Sequence, residues 1–455
     1  MRKRLDSETV FSAMEPRRAV RYMALPAIMS QIIVLLYNLA DTFFLGRIGD
    51  PYMVAGVSLI LPVFNITLAL GALAGVGGGA LIPKLLARGR QAEAQQVLQF
   101  CLLLALSVAA AFSLGLLAFH APLLRLLGAG SNTRAFAWQY LLLVVVCGGV
   151  PTILTNVLAN LLRSISFARE AGIGVALGGG LNLILDPLFL HLLPEAEAVA
   201  GVGAATLLSN GISCTYLLWV LVHRQKELQL RLCLPRPERE SVRAVLSVGL
   251  PGTMGTLLFD LDYMILDRLM AGYGDIALAA VGIVLKAERL PLQVGIGLYQ
   301  GIVPLVAYAY ARRAYPRMNR IMTYTCTLGV LVSVGSIVLY ELGAPEILRF
   351  FIREDATVLL GAQFLRARAP ATLFMFLCFF VMHLYEAFGR GGTALFLAVL
   401  RWAGLNIPML FLLNRLFGAS GLVWAQLTAD VLASAVSWTL FVRDLKKMQA
   451  APARN

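Results

Sequence analysis

Residues 223–243 read HRQKELQLRLCLPRPERESVR. This is the most polar stretch of the chain, and it lies near the midpoint of 455 residues. Its basic residues are Arg224, Lys226, Arg231, Arg236, Arg239 and Arg243. On either side the sequence is dominated by apolar runs. Six precede it, near 22–46, 53–82, 97–118, 136–161, 171–193 and 201–222, and six follow, near 244–270, 276–307, 321–342, 369–388, 393–413 and 420–442. A helix crosses a bilayer with roughly 20 apolar residues, so each run suffices for one span. Composition agrees. The chain is 59% hydrophobic and 14% charged, where a soluble domain carries about 45–50% and about 25%. A soluble globular protein and a disordered one are both excluded. The expected fold class is all-α: a polytopic membrane protein of twelve transmembrane helices in two pseudo-symmetric six-helix lobes. Its parts are an N-terminal segment (1–21), an N-lobe (22–222), a linker (223–243), a C-lobe (244–442) and a C-terminal tail (443–455).

The two halves repeat. Leu25-Pro26 begins one and Leu250-Pro251 the other, an offset of 225 that also relates Gly49-Asp50 to Gly274-Asp275 and Ala55 to Ala280. Basic residues close the second run of each half: Lys84, Arg88 and Arg90 in one, Arg312 and Arg313 in the other. Each half has an even number of spans, so both enter the membrane from one side. Their pseudo-twofold axis then runs along the membrane normal, as in transporters built from parallel repeats. The cleft between the halves is the natural substrate route.

Charge sets the orientation. The formal net charge is +13, but the basic residues cluster between apolar runs, as the positive-inside rule requires. The side opposite the termini holds only Arg47, Arg125, Arg134, Arg349, Arg353, Arg366, Arg368 and Arg415. Both termini are therefore expected in the cytoplasm, and nucleic acid is not an expected partner. The first apolar run is too long for a signal-peptide core and has no clear cleavage site, so it reads as the first span. Cys101, Cys147, Cys214, Cys233, Cys326 and Cys378 form no CxxC pair and imply neither a disulfide framework nor a zinc site. The glycine run 75–79 lacks a following GK[ST], and no HExxH or GxSxG occurs. No enzyme is expected. His383 with Glu386 is the one pair that could suggest otherwise.

An acid at membrane depth usually faces a cavity and has a function. Asp41 follows Tyr37 by four residues in the first run, and Asp186 follows Asn182 by four in the fifth. That spacing puts each acid and its companion on one helical face. Such oxygen ligands suit Na⁺, a hard cation. They suit a proton equally, because a carboxylate out of water sheds its charge by taking one up. Asn156, Asn160 and Thr206 lie in the adjoining fourth and sixth runs and could complete a polar chamber or simply bond between helices. The C-lobe is more mixed. Asp260 and Asp267 share a face of the seventh run while Asp262 points elsewhere. Lys286, Glu288 and Arg289 lie in the eighth, His383 and Glu386 in the tenth, and Asp430 in the twelfth. Glu288 could be paired with a cation. Asp260 is the deepest acid of its run and the best candidate to face the cleft.

These segments resemble a known family. Leu25-Pro26 through Tyr37-Asn38-Leu39-Ala40-Asp41-Thr42-Phe43-Phe44-Leu45-Gly46 is similar to helix 1 of the multidrug and toxic compound extrusion (MATE) transporters. Asn182-Leu183-Ile184-Leu185-Asp186-Pro187 resembles their helix 5 signature, and Glu386-Ala387-Phe388-Gly389-Arg390-Gly391 and Arg401 to Pro408 resemble the end of helix 10 and helix 11. The likeness covers about 20–442 and points to the DinF/MepA-like bacterial branch. It implies an inner-membrane exporter working by antiport, in which a cationic or amphipathic compound leaves as H⁺ or Na⁺ enters. Carried over, the coupling-ion positions are Asp41, Asn182, Asp186 and Thr206, all four possible Na⁺ ligands, with Asn156 and Tyr37 nearby. Candidates for the substrate cavity are Asn160, Asp260, Asp262, Asp267, Lys286, Glu288, His383 and Glu386. Glu386 stands where many relatives have Gln, and this makes the C-lobe more charged than the pattern. The implied partners are a small organic substrate and the lipid bilayer, with no cofactor beyond the coupling ion, and the chain is a monomer by default because it holds both lobes. The alternative is a flippase for lipid-linked substrates, for which Lys286, Arg289 and Arg401 would hold a diphosphate.

Overall fold

Lipid offers no partner to a free backbone N–H or C=O, so every apolar run must close its own hydrogen bonds as helix. The computed structural model describes residues 7–47, 50–224 and 237–450, apart from the side chains of 41–43, 45–47, 196 and 224. Most of the polar linker thus lies outside the described residues.

The first lobe comprises α1 (Pro16–Arg47), α2 (Pro51–Ala87), α3 (Gln91–Leu126), the composite α4, α5 (Ala168–Leu192) and α6 (Ala198–Trp219). In α4, Arg134–Tyr140 passes through a π-helical stretch, Leu141–Cys147, into Gly149–Ser164 with a 43° bend. The second lobe comprises α7 (Arg239–Ala271), α8 (Asp275–Ala311), α9 (Tyr315–Phe351) and α10, which joins Asp355–Arg368 to Ala371–Phe388. The last helical segment, Gly391–Ala450, has 60 residues. At 1.5 Å per residue it would be about 90 Å long, three times a hydrocarbon core of about 30 Å. It turns back at Gly418, whose φ of 60° and ψ of −141° suit glycine alone. Residues 391–417 are α11 and residues 419–450 are α12, which completes twelve spans. The helices outrun the apolar runs where polar ends project from the hydrocarbon: α1 begins at Pro16 rather than near 22, and α10 at Asp355 rather than near 369.

The repeat shows in the packing. Within the first lobe α1 packs on α5 and α2 on α4; within the second, α7 packs on α11 and α8 on α10. Between lobes the main contacts are α2 with α7 and α1 with α8, each the image of the other under the pseudo-twofold. Glycines let these axes approach. A Cβ at Gly301 or Gly297 of α8 would lie 2.5 Å from the Cα of Ala24 or Ile28 in α1, well inside the 3.5–4.0 Å or so of a normal carbon contact. A Cβ at Gly249 of α7 would overlap the carbonyl of Leu73 in α2, and one at Gly77 of α2 that of Val245 in α7. All these residues lie in the half nearer the chain termini. A hydrogen bond supports the same end, Ser241 Oγ of α7 donating to Glu93 Oε1 of α3 at 2.7 Å, and Lys84 Nζ of α2 packs against Gly389 at the end of α10, where a Cβ would meet it. The lobes are sealed together where both termini emerge.

Candidate functional site

In the first lobe, the i, i+4 spacing of Asn182 and Asp186 on α5 turns both toward α6. Asn182 Nδ2 donates to Asp186 Oδ1 at 3.3 Å and to Thr206 Oγ1 at 3.2 Å. Thr206 Oγ1 in turn donates to Val202 O at 3.1 Å. All three side chains are buried, Asp186 completely. Asn182 Oδ1 is buried without a hydrogen-bond partner, an acceptor that a cation or a protonated group would satisfy. Pro187 follows Asp186 and cannot bond the carbonyl of Leu183, so the helix is loosened at the site. The site thus combines one carboxylate with amide and hydroxyl oxygens inside a lobe.

α1 lies alongside in parallel. Gly172 of α5 packs on Pro26, and Gly179 packs on Ile33 and Tyr37. One turn further in this register the backbone of Asp41 comes level with Asp186. The Asp41 side chain lies outside the described residues. Asn156 and Asn160 pair with each other, since Asn160 Nδ2 donates to Asn156 Oδ1 at 3.0 Å. They face α2, packing on Gly71 and Gly75.

The C-lobe acids divide into two sets. Asp260 is half-buried and Asp267 exposed, and Arg289 is a cation acting on both. Lys286 is also only partly buried. The second set is sequestered. Arg368 grips Glu288 with both arms of its guanidinium, Nε to Oε1 at 2.8 Å and Nη2 to Oε2 at 2.9 Å, and Nη2 also bonds Gln426 Oε1. Arg401 Nε donates to Asp430 Oδ1 at 2.6 Å, while its plane stacks 3.6 Å from the Trp402 ring centre. Asn406 Nδ2 donates to Asp262 Oδ2 at 2.7 Å. His383 stacks on Tyr299 with ring centres 4.6 Å apart, and its Nδ1 lies 2.8 Å from Phe379 O. Glu386 is buried one turn away. Arg401, one of the three cations a diphosphate site would need, is thus already held by an acid. Asn406 and Gln426 escaped the sequence reading, although amides inside apolar runs gave the same signal as Asn182.

The comparisons agree with this architecture. The family model MatE matches twice, over residues 26–188 and 251–412, so the matches begin at Pro26 and Pro251, the offset of the internal repeat. The multidrug export protein MepA of Staphylococcus aureus (strain N315) is 27% identical over 415 residues, 91% of each chain. Its namesake from Staphylococcus saprophyticus is 26% identical over the same length. Among solved structures, an outward-facing multidrug resistance MATE family transporter of the MOP superfamily superposes with a TM-score of 0.92 at 21% identity, covering 99% of this chain and all of the other. A MOP superfamily transporter from Pyrococcus furiosus, described as having a binding pocket of reversed polarity, gives 0.91 at 22%, with the same coverage. A family model matching most of the chain, once per lobe, on a twelve-helix frame of that shape makes this protein a member of the MATE family of membrane transporters.

Proposed function

We propose that this chain exports small organic compounds, cationic or amphipathic, in exchange for H⁺ or Na⁺ across a bacterial inner membrane, with both termini in the cytoplasm. The observation that carries the reading is the buried Asn182–Asp186–Thr206 cluster, with its unpartnered amide oxygen, beside the Asp41-bearing helix. Asp41, Asn182, Asp186 and Thr206 take the coupling cation, with Tyr37 on the adjoining helix, while Asn156 is turned toward α2. Asp260, Asp267 and Lys286 line the substrate route between the lobes, residues 22–222 and 244–442, which rock against one another.

The cycle follows from electrostatics. In the state sealed at the terminus-bearing end, the cleft between the lobes opens to the outside. The ionised carboxylates attract a cationic substrate and the coupling ion alike. Uptake of H⁺ or Na⁺ neutralises them and releases the substrate. A ligand shifts a two-state equilibrium only through its differential affinity for the two states, and competition for one negative field supplies that difference. The test is export of a fluorescent organic cation from proteoliposomes under separately imposed H⁺ and Na⁺ gradients. One gradient drives export, and Asp41→Asn and Asp186→Asn each abolish it. Unchanged gradient-driven export by both variants refutes the assignment.

A further inference from the structure

The segment ahead of α1 is not a free tail. Thr9–Ala13 forms one π-helical turn, and Val10 and Phe11 are completely buried. A π turn would bond the carbonyl of Phe11 to the N–H five residues on. That residue is Pro16, which has none. The carbonyls left over converge on one side chain of the opposite lobe. Arg317, at the start of α9, donates from Nε to Phe11 O at 2.8 Å, from Nη1 to Met14 O at 2.6 Å and from Nη2 to Val10 O at 3.3 Å. A guanidinium presents five donors in a planar fork, and three of them meet one turn of backbone here. The Phe11 ring lies 5.4 Å from that of Tyr308 in α8, and Glu8 sits 3.8 Å from Arg312. Those partners all belong to the second lobe.

Both ends of the segment belong to the first lobe. Its C-terminal end runs into α1. Its start is tied to the turn between α4 and α5, where Ser7 Oγ lies 3.3 Å from Ser166 Oγ. The segment therefore crosses the seam at the sealed end. We propose that residues 7–14 are a strap that locks the two lobes together at the end carrying both termini, with Arg317 as its catch and Phe11 as its apolar anchor. Opening that end must withdraw the carbonyls from Arg317 and Phe11 from Tyr308. The strap thereby biases the resting transporter toward the state closed at this end and sets how readily it turns to load substrate. This rests on the reading that the lobes part here during transport.

The test measures that parting directly, without transport. Spin labels at Gln91→Cys on α3 and Lys446→Cys on α12, both exposed at this end, report the inter-lobe distance by double electron–electron resonance in lipid nanodiscs, with the native cysteines replaced. Gly301→Ala, which wedges α1 from α8, is the positive control. Phe11→Ala and Arg317→Ala are each expected to raise the long-distance population about 5-fold or more, the scale of a modest coupling between two states. Arg317→Lys falls between, because an ammonium cannot span three carbonyls. Phe11→Ala and Arg317→Lys also stand alone should Arg317→Ala fold poorly. A shift in Gly301→Ala with none in the strap variants overturns the strap and leaves the exporter reading intact. No shift in any variant overturns both, since the lobes then do not part at this end.

Discussion

Arg368→Met probes a buried, two-bond ion pair of the C-lobe. The Arg368 and Glu288 side chains are 1% and 6% exposed, and the guanidinium makes two bonds to the carboxylate and a third to Gln426. Removing it leaves a buried carboxylate with no cation, a loss of about 3–5 kcal/mol when one partner of such a pair is deleted. The stranded Gln426 oxygen adds about 1–3 kcal/mol at most. The two do not simply add, because Glu288 and Gln426 share one site and can rearrange together. A net loss of about 3–5 kcal/mol is expected for Arg368→Met. Replacing both partners, Glu288→Leu with Arg368→Met, should recover most of it, because apolar substitution of a whole buried pair is often close to neutral. Reversible unfolding by SDS in mixed micelles, run on the wild type, both single variants and the double, gives the full cycle. A loss under about 1 kcal/mol for Arg368→Met, or a double variant as unstable as the sum of the singles, refutes the reasoning.

Thr206→Val removes the oxygen that accepts from Asn182 while keeping the side-chain shape. It should weaken the coupling ion about 5- to 10-fold, the loss of one modest hydrogen bond, and ion titration of export from proteoliposomes measures this. Gly301→Ala puts a carbon 2.5 Å from Ala24 Cα, so α1 and α8 must part by about 1 Å. Overpacking of about 1–3 kcal/mol then favours the state open at the terminus-bearing end, read as faster labelling of cysteines introduced along the α1–α8 seam. Arg401→Gln leaves Asp430 buried without its guanidinium partner. It should cost about 3–5 kcal/mol in the same SDS assay, and Arg401→Lys less, since an ammonium keeps the charge but loses the planar stack on Trp402.

Much of this protein is local and therefore legible along the chain. Lipid forces each apolar run to be helix, so the twelve spans, their duplication at an offset of 225 and the polar break at 223–243 follow from composition and spacing alone. The Asn182–Asp186 pair is likewise local, because four residues make one helical face, and their hydrogen bond is that spacing made visible. Partner choice across the bundle is not local. Glu288 finds its cation 80 residues away in Arg368, a residue whose place after a polar stretch suggested a loop outside the membrane. Only the packing of α8, α10 and α12 brings Arg368 and Gln426 to it. The same holds for Asn406 on Asp262 and for Asp430 on Arg401. Asn156 and Asn160 could have faced Asn182 from their spacing, but the glycines of α2 draw them the other way. Ahead of α1, Val10 and Phe11 are buried, and Arg317 from the other lobe donates to the Phe11 carbonyl that Pro16 cannot serve and to those of Val10 and Met14. Periodicity fixes which face a residue occupies; what that face meets depends on helices distant in sequence, and only the folded bundle decides it.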